Sequence, residues 1–131
     1  MATQETNITK EILLEASRRK AILFRNNTGT GWIGEKIYYP KPGYVLLRNA
    51  RPLHAGLTKG GSDLVGWKPV VITEDMVGKT LAVFTAIEVK SASGRATADQ
   101  LNFINQVRAG GGVAGIARTP EEARKLLESY L

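Results

Sequence analysis

LAVFTAIEVK, residues 81–90, is the stretch whose reading decides the fold. It is almost continuously apolar until Glu88, the pattern of a central strand buried on both faces, whereas a strand with one wet face alternates. Its charged end is therefore conspicuous. Alternate side chains of a strand share a face, so Glu88 and Lys90 point one way and Val89 the other.

Working outward, Thr97-Ala98-Asp99-Gln100 fits a capping box. Leu101, Ile104 and Val107 follow as an apolar stripe with Phe103 beside it, and Gly110-Gly111-Gly112 ends the helix. VAGIAR (113–118) reads as a strand. Thr119-Pro120-Glu121-Glu122 is a second box with proline at the first helical position, leading into Ala123, Leu126, Leu127 and Tyr130. Upstream, 68–79 reads as strand plus loop, and Asp63-Leu64-Val65-Gly66-Trp67 is a short apolar run that places Asp63 at a strand edge. Residues 32–51 are rich in aromatic and β-branched side chains around Pro40, Pro42 and Gly43, as in a hairpin. AILFR (21–25) is a strand closed by Asn26, Asn27 and Gly29, and 7–20 is an amphipathic helix bearing Ile8, Ile12, Leu13, Leu14 and Ala16. The order predicts an α/β fold, a mixed central sheet flanked by helices, in one domain over 1–131.

The 131 residues suffice for one core but not for separate cofactor and substrate domains. With no cysteine, disulfides, thiolate-bound zinc, iron–sulfur clusters and thiol nucleophiles are excluded together, in keeping with a reducing compartment. A lone histidine, His54, argues against His-rich metal sites and a Ser-His-Asp triad. Eighteen basic against twelve acidic residues give +6, a bias toward polyanionic partners. No apolar run is long enough to cross a bilayer and the N-terminus is too polar for a signal peptide, so a soluble, cytoplasmic protein without a membrane partner is expected.

Among the remaining chemical groups, Asp63 and the Glu88-x-Lys90 pair are the most informative. Two carboxylates converging on one point suit Mg²⁺, a hard cation that takes few protein ligands and keeps several waters; the Val89 backbone carbonyl is a further donor. A lysine beside such an ion serves an attacking water and the charge that builds on a phosphate. On spacing alone, a solvated ion pair contributing about 0–1 kcal/mol is the plainer account. Gln100 has two readings as well, the N3 member of the Thr97 box or a group facing the Glu88 strand end.

Gly29-Thr30-Gly31-Trp32-Ile33-Gly34 matches G-x-G-x-x-G, but Ile37-Tyr38-Tyr39 follows where a helix N-terminus would have to receive a pyrophosphate, so a tight turn accounts for it better. The basic residues are dispersed. Trp32, Trp67, Tyr38, Tyr39 and Tyr44 are able to stack on bases, but sheet packing explains most of them more simply, and His54 is taken as incidental.

The order Gly61-Ser62-Asp63-Leu64, Ile87-Glu88-Val89-Lys90, Gly94-Arg95, Gln100 and Gly111-Gly112-Val113 resembles the VRR-NUC family of PD-(D/E)xK nucleases, in its stand-alone phage-type form. The resemblance runs from about Thr6 to the C-terminus. It implies a restriction-endonuclease-like core of αβββαβ type with a β-hairpin elaboration. It assigns the metal, Mg²⁺ or Mn²⁺, to Asp63 and Glu88, the water and phosphate to Lys90, and a supporting role to Gln100. A first-helix acid joins the site in many members. Glu5, Glu11 and Glu15 compete for that role here, with Glu5 or Glu11 preferred. The 25 positions between Asp63 and Glu88 imply an extended hairpin or loop over 67–81, and Val107-Arg108-Ala109 is a partial form of the family's arginine signature.

The leading expectation is a metal-dependent DNA endonuclease selective for junctions or flaps, working as a homodimer or higher homo-oligomer in a bacterial or phage-infected cell. The rival from another class is a catalytically silent nucleic-acid-binding module of the same fold. A nucleotide-cofactor protein, resting on the glycine pattern, comes third.

Overall fold

A computed structural model describes residues 3–129, which fall into two compact units, 3–22 with 66–129, and Leu23–Val65. The elements in chain order are α1 (Gln4–Arg18), β1 (Ile22–Arg25), β2 (Gly29–Ile37), β3 (Leu46–Ala55), β4 (Leu64–Trp67), a 3₁₀ turn (Glu74–Met76), β5 (Thr85–Val89), α2 (Ala98–Ala109), β6 (Val113–Ala117) and α3 (Pro120–Glu128). The single mixed sheet expected from the sequence is replaced by three two-stranded ladders, β1 with β4, β2 with β3 and β5 with β6.

The core lies in the first unit, where Trp67, Ile104, Val107 and Ala114 pack together with Phe84, Ala86 and Ile116 against them. The Trp67 ring lies 4.8 Å from Phe84 and meets Phe103 edge-on at 6.1 Å. Gly110 makes the close approach possible, since a Cβ there would fall 2.4 Å from Trp67 Nε1. β5 runs parallel to β6, with Glu88 opposite Ile116 and Val89 opposite Ala117.

The expected central strand is corrected in two respects. Only 85–89 of 81–90 is strand, and no β5 residue is fully buried, because β6 is its sole described partner. β6 is the buried strand instead, with small residues that let both helices close on it. A Cβ on Gly115 would lie 2.5 Å from Leu126 of α3, and Arg108 Nε of α2 donates to the Ala114 carbonyl at 2.8 Å. The strand expected in 68–79 is also absent. Val70, Val71 and Ile72 are exposed in a loop that follows Pro69, a residue with no N–H to give a ladder.

Helix starts follow their caps. Thr3 Oγ1 accepts from Thr6 N at 3.1 Å, so α1 begins earlier than its apolar stripe implies. Its end at Arg18 precedes Lys20, whose φ is +61°. Thr119 caps α3 through Glu122 N, but Glu122 Oε2 reaches back to Arg118 N at 2.6 Å rather than to the cap itself. Glu121 and Glu128 flank Arg124 and hold its guanidinium above its ordinary range. Tyr130, assigned to this helix from the sequence, lies outside the described residues.

In the second unit β2 and β3 form an antiparallel ribbon, paired from Gly29 with Ala55 to Ile37 with Leu46, around a turn carrying Pro40, Pro42 and Gly43. Its register shifts between Ile33 and Glu35, opposite Asn49 with φ +53°. The glycine-rich motif 29–34 is therefore strand rather than turn. Gly34 sits at the irregularity, where a Cβ would lie 2.8 Å from the Arg48 carbonyl oxygen. Asn26 staples the following loop by donating to the Ser62 carbonyl at 3.0 Å and accepting from Leu57 N at 3.0 Å.

Candidate active site

The site is built where β5 ends and α2 begins. Strand alternation puts Glu88 and Lys90 on one side, and Lys90 Nζ lies 3.1 Å from Glu88 Oε1. The side chains are only 29% and 20% exposed, more sheltered than a solvated surface pair. Lys90 is fixed from behind, its N–H donating to the Ala117 carbonyl at 3.2 Å, and Arg118 Nη1 holds the Ser91 carbonyl just beyond it.

Gln100 combines both roles read from the sequence. Its Oε1 accepts from Thr97 N at 2.9 Å and its backbone N–H donates to Thr97 Oγ1 at 3.2 Å, a complete capping box. The same amide then donates from Nε2 to Glu88 Oε1 at 2.9 Å. One carboxylate oxygen thus takes both donors, and among the described residues no hydrogen bond is made to Oε2. A carboxylate oxygen left in this state, beside a cation and in partial shelter, is a suitable ligand for a hard divalent ion.

Glu88 and Gln100 line a cleft of about 390 Å³ with Ala86, Asp99, Phe103 and Ile104. Asp99 is a second carboxylate on this cleft that the sequence reading passed over. The available signal is its place in the first turn of α2, immediately before Gln100.

The other candidates are on β5 itself, on α1 and in the second unit. Val89 turns its side chain to solvent, opposite Glu88. Asp63 belongs to the second unit, exposed just before β4, with its carbonyl accepting from Asn26 N at 2.8 Å. Glu5 and Glu11 are exposed on α1, with no hydrogen bond or ion pair to the Glu88 cluster, while Glu15 is paired with Arg18 and Arg19. Among the described residues no three His, Cys, Asp or Glu side chains converge to hold a metal. In the partial arginine signature, Val107 is fully buried and Arg108 ties α2 to β6.

Three helices with small sheets make a mixed α/β protein, an architecture compatible with a nuclease-like fold. The model of the VRR-NUC domain matches residues 4–120, and the chain belongs to that family. No curated protein and no solved structure matches it. Membership makes hydrolytic nuclease chemistry on DNA its general activity, and nuclease domains of the PD-(D/E)xK type generally use divalent metals. No helix among the described residues is long and apolar enough to cross a membrane.

Proposed function

We propose that the chain is a Mg²⁺- or Mn²⁺-dependent endonuclease that hydrolyses phosphodiester bonds in branched DNA, at junctions or flaps, with residues 1–131 working as one nuclease domain in the cytoplasm. The observation that carries this reading is the Glu88 carboxylate, clamped through one oxygen by Lys90 and Gln100 while the other makes no hydrogen bond among the described residues.

Glu88 and Asp63 are the proposed metal ligands, with the Val89 carbonyl and either Glu5 or Glu11 as further donors. A bound divalent cation would supply charge neutralisation on the phosphate and lower the pKa of a nearby water. The chain's own groups carry the rest. Lys90 places a positive charge beside Glu88, where it stabilises the charge developing on the phosphate and orients the water. Gln100 fixes the carboxylate rotamer and is a positioning residue. Asp99, on the same cleft, adds negative charge that favours a cation there.

Assembly of copies belongs to the same reading. On α1, Ile8, Ile12 and Leu14 remain exposed, apolar surface that a second copy would cover.

The test is incubation with linear duplex, single-stranded, flapped and four-way-junction DNA in Mg²⁺, Mn²⁺ or EDTA. Metal-dependent cleavage that is abolished by Glu88→Ala and by Lys90→Ala supports the assignment. Cleavage that survives EDTA or both substitutions removes it. Salt-sensitive binding without cleavage of any substrate in either metal would favour a silent binding module.

A further inference from the structure

We propose that the β2–β3 ribbon is a duplex-DNA grip, contacting phosphates through Lys36, Lys41 and Arg51 and presenting Trp32 to the groove. This rests on the reading of DNA as substrate. It starts from a packing fact: no residue of Leu23–Val65 is fully buried, and both faces of the ribbon are wet. Sheet packing does not account for its aromatic side chains, since Trp32 is 67% and Tyr38 88% exposed.

The charge of the chain is concentrated here. Arg25, Lys36, Lys41, Arg48, Arg51 and Lys59 face only Glu35 and Asp63, so this third of the chain holds +4 of the total +6. Glu35 is taken by Arg48 at 3.7 Å, and among the described residues Lys36 and Arg51 have no acidic partner. Lys36 shares the Trp32 side of β2, Arg51 pairs with Ile33 on the other side, and Lys41 lies at the turn over the Tyr44 ring. Cations thus stand on both faces and at the tip.

The dimensions suit a duplex. B-DNA's major groove, about 12 Å wide, admits a two-stranded ribbon, and strands of nine and ten residues run roughly 30 Å, close to one helical turn. Addition of a strand from a second copy is disfavoured, because Pro52 lacks an N–H and the irregularity at Asn49 breaks the β3 edge.

Binding is best measured in EDTA on the Glu88→Ala protein, so that cleavage does not intrude, using a duplex and a four-way junction over a salt series. Replacing Lys36, Lys41 and Arg51 by Ala is expected to reduce the slope of log affinity against log salt by about 3 and to weaken binding at 0.1 M salt by about 100-fold. Exchanging Lys36→Arg and Arg51→Lys should leave both near the parent values. Trp67 is buried, so a tryptophan emission change on adding DNA that Trp32→Phe removes would place Trp32 at the interface. An unchanged slope and affinity in a triple variant with intact circular dichroism overturns the proposal, as does lost binding that tracks loss of an oligomer in sedimentation. If the wild type cleaves DNA while the triple variant binds normally, the grip fails and the nuclease reading stands. If nothing is cleaved but the variant loses binding, the nuclease reading fails and the grip stands.

Discussion

Every buried side chain in the described residues, from Trp67 to Ala117, belongs to the unit that carries Glu88, whereas Leu23–Val65 buries none. The first unit carries twelve basic and ten acidic residues, nearly balanced, while the second is strongly basic. The contrast matches what each part is proposed to do. A carboxylate and an amine must be held within a few tenths of an ångström, which requires packed elements behind them. A long-range electrostatic contact tolerates a looser support, and a ribbon held by backbone ladder bonds and a few exposed side-chain contacts provides it.

The largest expected effect lies in the packed unit. Lys90→Met keeps the stem and removes the charge, and should reduce cleavage by about 10³-fold with melting little changed. Equal loss of activity and stability would show that Lys90 is only structural. Next, Val107→Ala should destabilise the protein by roughly 2–3 kcal/mol in denaturant unfolding, because Val107 is completely buried among α2, β6 and the Trp67 cluster. Gln100→Glu separates the two duties of that side chain. It retains an acceptor for Thr97 N–H but replaces the donor to Glu88 by a second carboxylate. Thermal stability should shift little, while cleavage falls by about 10- to 100-fold. At the small end, Trp32→Ala in the ribbon should alter stability by less than about 0.5 kcal/mol. A destabilisation as large as that of Val107→Ala would show that the ribbon is packed in solution, against another copy, and would erase the contrast.

The two regions also differ in how far their sequences could be read. Capping signals located α2 and α3, because Thr97, Gln100, Thr119 and Pro120 act over three or four residues. The acid–lysine pair was legible for the same local reason, since strand alternation alone brings Glu88 to Lys90. The burial of β5 was overestimated because the run 81–84 is apolar without being strand, and Phe84 serves the Trp67 cluster as a side chain. β6, the strand that is buried, carries Ala114, Gly115 and Ala117, whose smallness gives a weak hydrophobic signal. The ribbon gave a hairpin signal but no warning of its exposure, since its residue types are those of an ordinary half-buried strand. The proposed convergence of Asp63 on Glu88 is non-local, and spacing along the chain does not determine it.

The double use of Gln100 has a kinetic consequence. The amide that clamps Glu88 is also the reach-back member of the box that starts α2, and helix ends fray more readily than helix interiors. Unwinding of that first turn would leave Lys90 as the one remaining donor to Glu88 Oε1, so in the proposed enzyme the Thr97 cap also governs how long the carboxylate stays clamped.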